Sequence, residues 1–205
     1  MKNCKKLVNR INGTHPSSLG LHPAVYFYSK GGRHKSASFF GVALFLLELE
    51  KRKKFKEFTD IREKFEDALI RYDFVLQQIL RHYRGASKAI PHFKDFYTVL
   101  MDKLKTNDID TAIKEIAKSK EFKFVKLSDG RQDTEAESED FSREAESAIF
   151  IIEALKNAVR CKICNARIHR NAISIDHIER KQDGGMGTFD NGQLTHPYCN
   201  SGYKN

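Results

Sequence analysis

Two short pairs of metal-binding residues constrain the C-terminal part of this chain more than any other feature. Cys161 and Cys164 are separated by two residues, and so are His196 and Cys199. This spacing is typical of a tetrahedral zinc site of Cys3His type, because each tight turn can direct two side chains to one ion. The alternative is a reduced cysteine pair with an unrelated histidine and cysteine, which would leave a short module without a cross-link. We therefore predict a structural Zn²⁺ bound by these four residues.

The segment between the two pairs carries polar residues in a fixed order. Residues 173–178 alternate in a pattern that suits a strand, and they include Asp176 and His177. Gly184-Gly185 and Asn191 follow, and Asn200 comes directly after the last cysteine. A single histidine in an apolar strand is more often structural than catalytic, so the ordered set carries the information and no one motif does.

The order Cys-x-x-Cys, Asp-His-Ile, Gly-Gly, Asn-x-x-Leu and Cys-Asn resembles the HNH endonuclease signature over roughly residues 158–205. The resemblance implies a ββα-metal fold, in which a β-hairpin and a helix surround one divalent ion, and a phosphodiester hydrolase. The chain departs from many family members at His196, where they have cysteine, and at Asn200, where others have histidine. Histidine is an equally good zinc ligand, so the zinc site is still expected, and only the metal preference is left open.

The same resemblance implies a role for each polar residue of the hairpin. His177 is the expected general base, since a neutral imidazole can take a proton from water. Asp176 and Asn200 are the expected ligands of a catalytic Mg²⁺ or Mn²⁺, because hard ions prefer oxygen donors. Asn191 is expected to fix the loop that positions His177, and it is grouped with His177 as a catalytic residue.

Three basic residues near the hairpin are candidate phosphate contacts: Arg180, Lys181 and Lys204. Simple solvation of these side chains is an equally good interpretation. The net charge of the chain is +9, and the basic surplus lies in residues 1–128. A surplus of this sign favours a polyanionic partner such as DNA, although charge alone is a weak indication.

Hydrophobic patterning predicts an α+β protein in which a mostly helical bundle precedes a small zinc-braced module. We predict a basic, mostly helical domain at 1–128, an acidic linker and connecting helix at 129–157, and a nuclease module at 158–205. The elements predicted before the cysteines are as follows: a short strand or extended segment at 24–28, a helix from about Ser38 with Phe40, Ala43, Leu44 and Leu47 on its apolar face, a helix from an Asp60 cap to Gly85, and further helices starting near Pro91, Asp108 and Ser142.

The front part carries a second, less specific resemblance. Residues 12–29 and Gly32-Arg33-His34, followed by helices, look like the helical region that precedes the HNH module in restriction proteins of the ParB-like, GmrSD type. The nucleotide-hydrolysing front domain of those proteins has no counterpart, since Asp129-Gly-Arg-Gln lacks a preceding strand. The resemblance implies a fragment or one half of a split system with a separate ParB-like subunit. The alternative is a basic helical scaffold that presents the nuclease to DNA.

These observations favour a metal-dependent DNA endonuclease in restriction or phage defence. A zinc-dependent nucleic-acid-binding subunit without catalysis is the first alternative, and a structural adaptor for a partner ATPase or GTPase is the second. The chain has no apolar run long enough to span a membrane and no secretory signal, so we expect a cytoplasmic protein without a membrane partner.

Overall fold

The computed structural model describes residues 2–127 and 140–204, and it confirms the α+β class. The predicted acidic linker lies almost wholly outside the described residues. The helices and strands of the described part are α1 Lys2–Ile11, α2 Pro23–Tyr26, α3 Ser36–Lys51, α4 Phe55–Arg71, α5 Asp73–His82, α6 Ala86–Leu104, α7 Ile109–Lys118, α8 Arg143–Lys156, β1 Ser174–His177 and β2 Gly192–Thr195, with a 3₁₀ turn at Lys181–Asp183 and a π-helical turn at Cys199–Tyr203. No described helix has the length and apolar content to cross a membrane.

The chain divides into two compact units. The hairpin unit comprises Met1–Pro23, Lys53–Glu63 and Ala158–Asn205, and the helical unit comprises Ala24–Arg52 and Lys64–Asn157. The predicted boundaries at 128 and 157 stay a prediction. The unit that contains the cysteines nevertheless includes two segments from the front half of the chain.

Helix α3 packs against α6 in the helical unit, and a glycine fixes the face that it uses. A side chain at Gly41 would place its Cβ atom against that of Phe93, so only glycine permits this approach. The predicted apolar face of α3 is wrong, because Phe40, Leu44 and Leu47 are 53%, 39% and 47% exposed. Apolar residues occur on every side of α3, so their spacing does not identify the side that packs. Ala43 is the one member of the predicted set that is buried, and it is buried together with Val42, Phe45, Leu46 and Leu49.

Several predicted element boundaries are also wrong. The segment predicted as a short strand or extended segment is helical over Pro23–Tyr26, since proline suits the first turn of a helix, while Tyr28 forms a single β-bridge with His34. The long helix predicted from Asp60 begins instead at Phe55, and it is interrupted at Tyr72, which leaves helical geometry between α4 and α5. Helix α6 begins after Gly85, so Pro91 lies within it.

Two predicted helix starts are confirmed by their hydrogen bonds. The carboxylate of Asp108 accepts from the backbone N–H of Thr111 at 2.9 Å at the start of α7. The hydroxyl of Ser142 accepts from the N–H of Ala145 at 3.2 Å before α8. Each cap satisfies a backbone donor that has no partner within its own helix.

The hairpin unit is organised around two antiparallel strands. β1 and β2 pair from Ser174 opposite Thr195 to His177 opposite Gly192, which confirms the predicted strand. The N-terminal segment packs into the same unit, where Tyr198 N donates to the Ser18 carbonyl at 2.9 Å. The hairpin unit is therefore built from the two strands, their neighbours in sequence and the N-terminal segment of the chain.

Arg62 joins α4 to that N-terminal segment inside the hairpin unit. Its side chain is fully buried, and its guanidinium donates to the carbonyl oxygens of Leu19 and Gly20. A buried guanidinium requires such acceptors, because an unpaired buried charge is strongly unfavourable. These contacts fix the backbone of residues 19 and 20, and Gly20 packs against His196 near the cysteines.

Candidate functional site

The four predicted zinc ligands lie together in the hairpin unit. The Sγ atoms of Cys161, Cys164 and Cys199 and a ring nitrogen of His196 all lie within 4.8 Å of one another. A tight turn brings the first pair together, with Asn165 N donating to the Cys161 carbonyl at 2.9 Å. Cys161, His196 and Cys199 are buried, and Cys164 is partly exposed. Soft sulfur donors with one imidazole in a buried, closed arrangement suit a structural zinc ion.

The orientation of His196 leaves its ligating nitrogen free for a metal. Its Nδ1 atom lies 3.4 Å from Cys164 Sγ and 3.8 Å from Cys199 Sγ. Its Nε2 atom lies 3.1 Å from the carbonyl oxygen of Arg167, to which it donates. A backbone acceptor of this kind fixes the tautomer and the ring orientation of a ligating histidine. The imidazole is therefore set to bind through Nδ1.

The three thiols of the cluster lie close enough to hydrogen-bond to one another, and this shifts the pKa of each. Hydrogen bonds from the thiols of Cys164 and Cys199 lower the pKa of Cys161 strongly. The same interaction with Cys161 raises the pKa of Cys164 to about 12 and raises that of Cys199 further. A cation is needed before all three can act as thiolates, which is the condition for zinc binding.

Asp176 is a buried carboxylate at the centre of the hairpin, 5% exposed. Its Oδ2 atom accepts from Gln193 Nε2, on the paired strand, at 2.8 Å. The same oxygen accepts from Lys204 Nζ at 2.7 Å. Sequence reasoning placed Lys204 as a phosphate contact, and the structure places its ammonium on the candidate metal ligand.

His177 lies next in β1, and its side chain belongs to the opposite face of the strand from Asp176. It is partly exposed, so solvent water can reach the imidazole. The imidazole adjoins the glycine-rich loop between the strands, since a Cβ atom at Gly187 would lie 3.9 Å from His177 Nε2. Its carbonyl oxygen accepts from Lys204 Nζ at 2.9 Å.

Asn191 fastens that loop from within. Its Oδ1 atom accepts from Glu179 N at 2.7 Å, while its Nδ2 atom donates to the carbonyls of Glu179 at 3.1 Å and Met186 at 2.8 Å. Gly185 allows the backbone to close, because a Cβ atom there would collide with the Glu179 carbonyl. Gly184 takes a positive φ of 98° just before it. The segment that follows His177 is therefore held by one side-chain amide.

Asn200 connects the π-helical turn to β1. Its Nδ2 atom donates to Ser174 Oγ at 2.9 Å and to the Ile175 carbonyl at 3.1 Å. Arg180 and Lys181, by contrast, are exposed in the loop after β1. The structure thus gathers Asp176, Asn200 and Lys204 around β1, and it leaves the two loop cations facing solvent.

The sequence predicts Asp176 and Asn200 as ligands of a divalent ion, and both lie at β1. Asp176 carries a carboxylate and Asn200 an amide, which are donor types that hard divalent ions accept, and Lys204 is the cation that contacts the carboxylate in this structure. Among residues 2–127 and 140–204, only two groups of three or more histidines, cysteines or acids lie close enough to share an ion. These are the Cys3His cluster and His92, Asp95 and Glu121 of the helical unit. Asp176 belongs to neither of these groups.

Three supporting contacts of the hairpin unit were not predicted from the sequence. Gln193 holds Asp176 from β2, Arg62 holds the N-terminal segment, and Gly20 lies against His196, where a Cβ atom would be 2.8 Å from its Cδ2 atom. Gly20 has a φ of +59°, and its position in a glycine-, proline- and serine-rich passage was the one available signal. Nothing in the local pattern around Arg62 indicates a buried charge.

Comparison with known proteins gives a family for the C-terminal segment. A model of the HNH endonuclease family matches residues 161–205, which contain both pairs of zinc-cluster residues and the whole hairpin. No curated protein and no solved structure matches the chain. The match supports nuclease activity and metal binding for this segment. The resemblance of the front part to ParB-like, GmrSD-type proteins has no support from these comparisons.

Proposed function

We propose that this protein is a metal-dependent DNA endonuclease of the HNH type, with a structural zinc ion in the Cys3His cluster. The observation that carries the proposal is the arrangement around β1. A buried carboxylate, an adjacent partly exposed imidazole and a bridging asparagine lie on one hairpin of the segment that matches the family. A module that only binds nucleic acid has no need of this set.

Each requirement of phosphodiester hydrolysis has a candidate group. His177 accepts the proton of the attacking water at a ring nitrogen, while Asn191 holds the adjoining loop in place. Asp176 and Asn200 would hold Mg²⁺ or Mn²⁺, which when bound neutralises charge on the phosphate and on the leaving oxygen. Arg180 and Lys181 are exposed in the loop after β1, and this exposure supports the proposal that they contact flanking phosphates.

DNA is the proposed substrate and restriction or phage defence the proposed setting. The net charge of +9 supports a polyanionic partner. The biological setting depends on sequence resemblance alone, and so does a separate nucleotide-hydrolysing subunit.

The test is plasmid cleavage by the zinc-loaded chain with Mg²⁺ or Mn²⁺. His177→Ala should slow nicking by roughly 10²–10⁴-fold, the usual contribution of a general base. Its zinc content should stay unchanged, because His177 is not one of the four clustered ligands. His34→Ala in the helical unit is the matched control and should nick at the wild-type rate. Nicking by His177→Ala at the wild-type rate would refute the proposal.

One observation favours a second candidate, a zinc-dependent nucleic-acid-binding subunit without catalysis. The carboxylate of Asp176 is already ion-paired with Lys204, as expected of a site that no longer takes an ion. This alternative predicts salt-sensitive DNA binding that is indifferent to His177→Ala, together with no cleavage in any metal. Measuring binding and nicking on the same preparations separates the two functions.

A further inference from the structure

The candidate metal-binding carboxylate already carries a cation from its own chain. Lys204 Nζ lies 2.7 Å from Asp176 Oδ2 and 2.9 Å from the His177 carbonyl oxygen. The lysine side chain is 22% exposed and that of Asp176 is 6% exposed. Gln193 donates to the same carboxylate oxygen. A carboxylate this deeply buried requires a paired charge, and here the ammonium provides it.

The backbone of Lys204 is anchored, but its head group can move. Lys204 N donates to the Cys199 carbonyl at 3.3 Å, which ties the residue to the π-helical turn and to a zinc-cluster cysteine. Lysine has a flexible four-carbon stem with a compact charge at its end. The ammonium can therefore leave Asp176 while the backbone stays in place.

We propose that Lys204 is a tethered cation that holds Asp176 in the metal-free protein and is displaced when a divalent ion binds. The proposal rests on the proposed function, since it takes Asp176 as an ion ligand. Magnesium requires ligand oxygens at about 2.0–2.1 Å, so a hydrogen-bonded ammonium cannot keep its place on the ligating oxygen. Two cations on one carboxylate also repel each other.

Once displaced, the Lys204 ammonium would be available for a second interaction. The released head group stays within one side-chain length of the ion, where the phosphate of a substrate has to bind. Lys204 would then contact phosphate, the role predicted for it from the sequence. One side chain would thus neutralise the site without the ion and contact the substrate with it.

The proposal is tested by Mn²⁺ binding to the zinc-loaded full chain, with the signal of free Mn²⁺ followed by electron paramagnetic resonance. Lys204→Met removes the competing charge and should lower the Mn²⁺ dissociation constant roughly five- to tenfold. Asp176→Asn should remove the site. Lys5→Met, an exposed lysine of α1 in the same unit, is the matched charge control and should leave the dissociation constant unchanged.

The outcomes separate this inference from the proposed function. Equal Mn²⁺ affinity in wild type and Lys204→Met, lost in Asp176→Asn, would overturn the displacement by Lys204 and leave the nuclease proposal intact. Absence of an Asp176-dependent Mn²⁺ site in every variant would overturn both.

A measurement on the wild-type chain avoids any folding defect of the variant. Reductive methylation followed by mass spectrometry reports how accessible each lysine amine is. Mg²⁺ should accelerate modification of Lys204 and leave Lys5 unchanged. An unchanged rate at Lys204, at Mg²⁺ concentrations that saturate the site, contradicts the displacement.

Discussion

Gly20 offers the sharpest test of whether the N-terminal segment supports the zinc cluster. An alanine Cβ atom at this position would lie 2.8 Å from both the Cβ atom of Ala172 and the Cδ2 atom of His196. The backbone φ of +59° adds a second penalty, because side chains other than glycine rarely adopt it. Gly20→Ala therefore strains the chain and presses on a zinc ligand at once.

The expected magnitude follows from these two contributions. The left-handed backbone conformation costs an alanine about 1–2 kcal/mol, and overpacking a tight contact costs about 1–3 kcal/mol. Gly20→Ala should thus lower the free energy of unfolding by roughly 2–5 kcal/mol. Because His196 has to shift to relieve the contact, the variant should also release zinc more readily to a competing chelator.

The assays are urea denaturation of the zinc-loaded protein and zinc transfer to a colorimetric chelator. Gly13→Ala is the control, since Gly13 also has a positive φ, of +122°, but a Cβ atom there would meet nothing within 4 Å. Gly13→Ala should destabilise the chain through backbone strain and leave zinc transfer unchanged. Wild-type zinc transfer by Gly20→Ala would refute the claim that residues 1–23 support the cluster.

Three further predictions concern the same unit. Asn191→Ala loses three hydrogen bonds to the loop. It should nick DNA more slowly, and its free energy of unfolding in urea should fall by about 1–3 kcal/mol, with zinc content unchanged. Nicking at the wild-type rate contradicts the role of the loop. Tyr203 donates to Asp60, which raises the pKa of its phenol from 10.0 to about 12. The stability from this bond is therefore fully present below pH 10 and is lost as pH rises through 12. In urea titrations at alkaline pH, Tyr203→Phe should lose less stability across that window than the wild-type chain does. An equal loss in both proteins contradicts this prediction. Excised residues 158–205 should fail to fold cooperatively with zinc, because the segment lacks Arg62 and the acceptors that it binds; a sharp thermal transition of the fragment contradicts this.

The zinc cluster could be predicted from sequence because its geometry is local. Each ligand pair spans a single turn, so the spacing between its two residues already determines that both side chains can reach one ion. The helix caps at Asp108 and Ser142 are predictable for the same reason, since the donor lies three residues from the acceptor. Features that are formed within a single turn of the chain can therefore be predicted from the local sequence.

The packing face of α3 and the charge pairing of Lys204 could not be predicted in this way. The face of α3 depends on the close approach at Gly41, and Phe93, which it meets, lies on a helix much later in the chain. Lys204 and Asp176 are 28 residues apart, and nothing in either local sequence indicates that they meet. A basic residue beside a predicted nuclease motif is compatible with phosphate contact and with an internal ion pair, and only the fold distinguishes them.

One short turn joins the Cys3His cluster to the proposed divalent-ion site at Asp176, and this connection argues that zinc does more than stabilise the fold. Cys199 supplies a zinc-cluster thiol, its carbonyl anchors Lys204, and Asn200 between them bridges to β1. Loss of zinc would release Cys199, and the turn that holds the Asn200 amide on β1 and the Lys204 ammonium on Asp176 would lose its fixed end. If Asp176 binds the proposed divalent ion, zinc is therefore expected to control the affinity of that second site. Removal of zinc should weaken Mn²⁺ binding at Asp176 even under conditions in which the helical unit stays folded.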